Sequence, residues 1–299
     1  MDKLPISVVI VNHNGGMLLC QCVTEVEKVA TQVIVVDNCS ADTSMSSLES
    51  AFAGMSHVVL CALPVNRGFA AGCNVGMGLA TQAYLLFLNP DCIVREGALL
   101  KMFAALVGDR EVGMVGGLLT NEDGSEQGGA RRAVPTPWRS FVRAFGLSVL
   151  SSRWPKLFFN FHLNMDPLPD RPIDVEAISG ALMLVRRDAM DSIGCWDEGY
   201  FLHCEDLDLC MRFRQRTWRI LFVPDAPVLH FLGHSSKTKP IFVEWHKHKG
   251  MLRFYKKFFS HQYPGVLMWL VRLGVWSRFS MLVVRHWFRL IWAHVRGLA

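Results

Sequence analysis

Apolar and polar positions alternate in a regular way along the first third of the chain. Short runs rich in β-branched and other apolar residues (6–11, 33–36, 57–61 and 84–88) each lead into a polar cluster. Longer stretches (18–29, 42–52, 69–80 and 97–107) separate them and have helical apolar spacing. The short runs predict buried strands and the longer stretches predict helices. Strands and helices joined by short loops predict an α/β fold, a mostly parallel sheet flanked by helices on both faces.

The pattern changes after residue 120. Residues 121–172 are a mixture of Gly, Pro, Arg and aromatic residues, which predicts an irregular insertion with one helix near 138–150. Insertions of this length commonly form lids or partner-binding surfaces. Regular structure resumes with a strand at 180–186, a helix at 205–216 and a strand at 220–223. There is no internal repeat and no low-complexity tract. We therefore divide the chain into a main domain over 1–240 and a helical tail over 241–299.

In a sheet of this type, ligands bind beyond the carboxyl ends of the strands. The polar clusters fall there: Asn12, His13 and Asn14 after the first strand, Asp37 and Asn38 after the second, Asn66 and Arg67 after the third, Asn89 and Asp91 after the fourth. Four clusters on one edge make a site.

Composition narrows the class. With 51% hydrophobic and 19% charged residues, 299 residues can bury a substantial core. The net charge of +5 is concentrated in Arg and Lys between 237 and 296. A basic, aromatic C-terminal part suits an anionic surface, and no nucleic-acid-binding motif accompanies it. The nine cysteines form no C-x-x-C pair, which points to reduced thiols in a cytosolic setting. The N-terminus has no basic region followed by a long apolar stretch, so no signal peptide is expected. No run of about 18 uncharged apolar residues predicts a membrane span.

Four constellations could carry chemistry. Asn89-Pro90-Asp91 delivers a carboxylate on a stiffened turn, suited to Mg²⁺ or Mn²⁺ held mostly by a ligand's phosphates; the bland alternative is a turn that caps the next helix. Asn66-Arg67-Gly68, followed by a helix start and Asn74, could approach an anion, although many such turns bind nothing. Glu205-Asp206-Leu207-Asp208 places three acids at a helix start, where one could cap and another act as a general base. Asp208 and Arg212 make a structural i, i+4 pair. His230 and His234 could complete a metal's shell or be ordinary structural histidines.

Together these segments resemble the family 2 glycosyltransferases of the GT-A (Rossmann-like) fold, in particular the bacterial rhamnosyltransferase-like branch. The matching residues are 7–14, 35–40, 66–74, 88–91, 179–181 and 205–212, in the family's order, covering about 6–235. The resemblance implies that Asp37 reads the donor's pyrimidine base, and that Asn12, Asn38, Gly68 and the 66–74 turn line the nucleotide. It implies that Asp91 binds the divalent metal with His230, and that Asp206 is the base while Glu205 shapes the turn. Arg131 and Arg132 would reach a diphosphate or a lipid-linked acceptor. The implied reaction is single-displacement, inverting transfer of a sugar, L-rhamnose from dTDP-rhamnose being the best match. The acceptor would be a glycan or polyprenyl-diphosphate-linked sugar of a cell-surface polysaccharide. The family's usual Asp-x-Asp is Asn89-Pro90-Asp91 here.

On a helical wheel, Arg278, Arg285, Arg289 and Arg296 fall within about 40° of one another. Trp287, Val283, Leu290 and Phe279 lie on the other side. This predicts an amphipathic helix in a membrane interface, with a homodimer contact as the alternative, and places the protein on the inner face of the cytoplasmic membrane. A nucleotidyltransferase would show a Gly-rich motif containing Lys or Arg after the first strand, and residues 12–18 do not. A membrane scaffold with a decayed site would not need Asp37, Asp91 and Asp206.

Overall fold

The computed structural model describes residues 3–95, 97–144, 146–154, 157–158, 163–231, 240–295 and 297. His234 and Arg296 lie outside them. The first half runs β1 (Leu4–Asn12), α1 (Gly16–Glu27), β2 (Ala30–Asp37), α2 (Ser44–Ala51), β3 (Val58–Ala62), α3 (Phe69–Leu79), β4 (Tyr84–Leu88), β5 (Cys92–Val94), α4 (Ala98–Val107) and β6 (Val112–Thr120). There follow β7 (Arg131–Arg132), α5 (Pro137–Ala144), β8 (Ile173–Asp174), β9 (Ala177–Ile178), β10 (Leu182–Arg186), α6 (Arg187–Ile193), α7 (Glu205–Gln215), β11 (Arg219–His230), α8 (Pro240–Phe259) and α9 (Gly265–Val295).

The main sheet has the order β3-β2-β1-β4-β10-β6-β11-β5, with β8 added on β11. β3, β2, β1 and β4 are parallel, as are β6 and β11. β10 runs antiparallel between β4 and β6 and joins the two parallel sets. Both faces are covered. Ile6, Val8 and Ile10 of β1 face one core with Leu19, Val23 and Leu99, while Val9 and Val11 face the other with Cys73, Met190 and Phe213. Burial on both faces explains why β1 and β2 are continuous apolar runs.

The predicted helix over 138–150 is two pieces, α5 and a 3₁₀ turn at Leu147–Ser152. The predicted strand over 220–223 extends to His230 as β11, and its far end carries a site residue. β6 lies between β10 and β11 yet has no apolar signature, because Gly113, Gly116 and Gly117 dilute it. Phe213, Ile178 and the Ala226 carbonyl pack where their side chains would be.

The tail is not one unit. α8 buries Phe254, Tyr255, Phe258 and Phe259 against the main domain and His248 against α9. Lys257 reaches Asp197 at 2.8 Å and the fully buried Asp208 at 2.6 Å, and Tyr255 donates to Ser140 at 2.6 Å. Gly250 lies so close to the loop before α7 that a Cβ there would sit 2.7 Å from the His203 carbonyl oxygen. α9 leans on α8 through Trp245–Trp276 (4.9 Å between ring centroids) and His248–Phe279 (5.5 Å). Its 28 residues Gly265–Trp292 are long and apolar enough to cross a membrane: an 18-residue window in them has a mean hydropathy of 1.4, with none of that window buried. That corrects the expectation drawn from the missing uncharged run: four arginines interrupt the apolar stretch without removing it.

Gly250→Val would force α8 off the His203 carbonyl. The expected loss is about 1–3 kcal/mol of stability in chemical denaturation, the usual range for overpacking. An unchanged midpoint would show that α8 does not press on this turn.

Candidate functional site

The strand register brings the predicted clusters together. Asn12 lies opposite Asp37 at the carboxyl ends of β1 and β2. The Asp37 carboxylate accepts from Asn12 Nδ2 (2.9 Å), Ser40 Oγ (2.5 Å) and the Ser40 backbone N–H (3.0 Å). It retains 6% exposure at the edge. Asn12 is fully buried, and its amide also donates to Ser40 and Ser44 while its Oδ1 accepts from Gly15 N–H. Asn12 therefore braces Asp37, with its side-chain amide hydrogen-bonded within the chain.

The same correction applies around the third strand. Asn38 donates to the Gly68 carbonyl (3.0 Å) and accepts from Arg67 N–H (2.8 Å). Asn66 accepts from Gly68 N–H. Asn74 exchanges hydrogen bonds with the Trp196 backbone and donates to Glu198, and Arg67 pairs with Glu198. Gly68, at φ +88°, is closely approached by Phe201: a Cβ there would lie 2.6 Å from the Phe201 carbonyl oxygen. Phe69 N–H donates to that same oxygen. These residues, expected to touch a nucleotide, instead fasten the 196–201 loop to the first half of the sheet.

The metal corner assembles as expected. β5 and β11 pair antiparallel with His230 opposite Cys92, and Phe231 N–H donates to the Asp91 carbonyl, so Asp91 and His230 are adjacent. His230 Nε2 lies 3.2 Å from Asp91 Oδ1 and 3.4 Å from Asn89 Nδ2. His230 Nδ1 donates to Gln127 Oε1 at 2.5 Å, which leaves Nε2 facing Asp91. A metal-ligating histidine typically has this second partner. Asp91 Oδ1 is buried and accepts no hydrogen bond from the described residues. A buried carboxylate oxygen beside an imidazole nitrogen fits a divalent cation that takes its other ligands from phosphate and water. Cys92 lies within 4.8 Å of both groups, but burial pushes its thiol well up, so it offers no thiolate. Gln127 has no signal in the sequence. It stands in the irregular insertion, on the far arm of a short hairpin closed by the Thr120–Glu126 bridge.

The two acids at the start of α7 face different surroundings. They follow His203 (φ +68°) and Cys204 (φ +71°), two successive non-glycine residues in the left-handed region. Strain of this kind collects at functional sites. Asp206 accepts from Leu207 N–H (2.7 Å) and Gly180 N–H (3.2 Å) and pairs with Arg132. Glu205 is 8% exposed, and burial followed by the Asp206 charge pushes its carboxyl up to about 8. Its Oε2 is without a hydrogen-bond partner. Asp208 is tied to Arg212, Lys257 and Tyr200, a structural role.

Arg131 does not face the site. It is buried, makes two hydrogen bonds to Glu126 (2.9 and 3.0 Å), donates to the Asp166 and Pro167 carbonyls and stacks on Phe222 at 5.4 Å. Only Arg132 of the basic pair reaches the edge. Residues 179–181 link metal corner and acid: Gly180 N–H holds Asp206, and the Ala181 carbonyl accepts from Asn89 N–H at 3.0 Å.

The family model described as glycosyl transferase family 2 matches residues 7–194, and the one described as glycosyl transferase family group 2 matches residues 139–298. The second match takes in α8 and α9, beyond the range over which the motifs are visible. Over 200 residues, 67% of this chain and 64% of the relative, the chain is 29% identical to an N-acetylglucosaminyl-diphospho-decaprenol L-rhamnosyltransferase of Mycobacterium tuberculosis. It is 28% identical to the Escherichia coli rhamnosyltransferase WbbL over 53% of this chain and 56% of the relative. Each match therefore spans less than two thirds of the relative's length. Among solved structures, GalNAc-T7 with UDP, GalNAc and Mn²⁺ superposes with a TM-score of 0.61, at 20% identity, over 87% of this chain and 49% of that one. The mannosyltransferase PcManGT from Pyrobaculum calidifontis, in complex with GDP-Man and Mn²⁺, gives 0.57 at 13% identity over 93% and 70%. These two likenesses show the fold.

Glu205 generates a pH prediction. Its folded value lies above the ordinary 4.5, so between about pH 5 and about pH 8 the folded state holds a proton that the unfolded state lacks. Stability therefore falls as pH rises through that window. Glu205→Gln should flatten the fall, read from thermal melts at both ends. Equal falls in variant and wild type would contradict the assignment.

Proposed function

The chain belongs to glycosyl transferase family 2, and we propose that it transfers a sugar from a nucleotide-sugar donor to a lipid-diphosphate-linked acceptor with inversion at the anomeric carbon. One observation carries the reading: residues 179–181 hold both the Asn89–Asp91 turn and Asp206. The residues that would hold a metal and the acid that would serve as general base are thereby tied to the same short segment. The names of the mycobacterial and E. coli relatives favour L-rhamnose as the sugar, and the mycobacterial name favours a sugar on a polyprenyl diphosphate as acceptor. Synthesis of a cell-envelope polysaccharide is the corresponding role.

Asp37 receives the donor's pyrimidine at the end of β2, its carboxylate oriented by Asn12 and Ser40. Asp91 and His230 are the residues that would hold Mg²⁺ or Mn²⁺, which supplies Lewis-acid stabilisation of the departing diphosphate. Asn89, beside His230, keeps the turn in register with β10. Asp206 takes the proton of the acceptor hydroxyl as that oxygen attacks from the face opposite the leaving group. Burial pushes the Glu205 carboxyl up, which disfavours a second carboxylate charge beside Asp206.

α9 is read as a membrane contact on the cytoplasmic face. At 100° per residue, Val266, Leu273, Val284, Trp287, Phe288 and Ile291 fall on one arc of roughly 100°, while Arg278, Arg285 and Arg289 lie toward the opposite side. All six apolar residues are about half exposed or more. An apolar stripe turned outward, with arginines toward the other side of the helix, suits a helix lying in a lipid interface, where a polyprenyl-linked acceptor is presented.

Asp206→Asn should lower transfer by about 10²–10⁴-fold, the usual contribution of a general base, while donor binding, read by thermal shift, survives. Retained turnover would remove Asp206 from the role. Ending the chain after Tyr263 keeps α8 and should abolish co-sedimentation with vesicles containing anionic lipid. Co-sedimentation at the full-length level would place the membrane contact elsewhere.

A further inference from the structure

Asp206 has a difficulty as a base: its oxygens are engaged. Oδ1 accepts from Leu207 N–H, and Oδ2 accepts from Gly180 N–H and pairs with Arg132 Nη2. The first two donors are backbone groups at the start of α7 and in the 179–181 segment. Arg132 is a long side chain and can leave. Its backbone is fixed, since β7 pairs with β9 and Arg131 is locked to Glu126. Among the described residues its guanidinium has one further hydrogen bond, to the Ile178 carbonyl at 3.4 Å, and its buried Nε has no hydrogen-bond partner. A planar fork with a spare donor matches two oxygens of a phosphate. A neutral ligand offers nothing to replace the carboxylate charge, whereas an anion does.

We propose that Arg132 is a specificity residue: it covers Asp206 until the acceptor's diphosphate draws it away, and so restricts transfer to diphosphate-linked acceptors. The step rests on the glycosyltransferase reading above. When Arg132 moves to the diphosphate, Asp206 Oδ2 takes the hydroxyl proton. The hydroxyl oxygen bonds to the sugar's anomeric carbon, and the bond from that carbon to the donor diphosphate breaks with its electron pair leaving on the nucleoside diphosphate. Without an acceptor, the covered carboxylate does not activate water, which protects the donor from hydrolysis.

The test compares full-length wild type, Arg132→Met and Arg132→Lys with dTDP-rhamnose. The probes are a short-chain alkyl N-acetylglucosaminyl diphosphate, the matching octyl N-acetylglucosaminide and no acceptor, read as glycoside product and released dTDP. Wild type should prefer the diphosphate in kcat/KM on the order of 10²-fold, the worth of a charge-assisted hydrogen bond or two. In Arg132→Met the preference should collapse, with transfer to the octyl glycoside and acceptor-free hydrolysis both rising above wild type. Arg132→Lys, a charge without the fork, should fall between, and it carries the test if the methionine variant does not fold. Equal loss on both acceptors with no gain in hydrolysis, in a variant that melts like wild type, would overturn the proposal and make Arg132 a structural prop. An unchanged preference would also overturn it. A wild type that transfers from no nucleotide-sugar to either probe would instead sink the glycosyltransferase reading and the proposal with it.

Discussion

Five carboxylates, Asp37, Asp91, Glu205, Asp206 and Asp208, are gathered with little exposure at or behind one edge of the sheet, and each needs compensation for lost hydration. Most have it within the chain. Asp37 is met by an amide, a hydroxyl and a backbone N–H, Asp206 by Arg132, and Asp208 by Arg212 and Lys257. Glu205 is compensated by protonation. Asp91 is left with an orphaned oxygen and a histidine whose other nitrogen is already committed to Gln127. The remaining negative charge therefore sits where a cation and a diphosphate would enter, and the site follows from this imbalance.

Holding that arrangement takes more of the chain than the site itself. The left-handed turn at His203–Cys204 is strained, and three pieces clamp it. The α3 start contacts Phe201, Asn74 and Arg67 hold the 196–198 segment, and α8 presses through Gly250 and Lys257. α8 in turn carries α9, whose apolar face looks outward. The part of the chain read as reaching the membrane thus touches the helix that buttresses the acid-bearing loop.

Much of this was legible in the sequence, for physical reasons that also set the limits. Runs such as 84–88 announce strands because they are buried on both faces, and polar residues after them announce the edge. Periodicity does not reveal β6, whose glycines admit neighbouring side chains in place of its own. Asparagine is ambiguous: Asn12, Asn38 and Asn74 sit where ligand contacts belong, yet their amides are spent on backbone and on Asp37. The same holds for two adjacent arginines, of which Arg131 is a buried strut and Arg132 faces the acids. Gln127 is invisible without the fold, because its partner lies 103 positions away.

Cation binding at Asp91 tests this charge balance most directly. Titrating Mn²⁺ into the purified protein with a nucleoside diphosphate, followed by electron paramagnetic resonance, should reveal one site. That site should be lost in Asp91→Asn and weakened in His230→Ala, where the removed ligands leave only phosphate and water. Mn²⁺ binding of undiminished strength in Asp91→Asn would contradict the assignment, because the unbalanced carboxylate would then have no part in holding the ion.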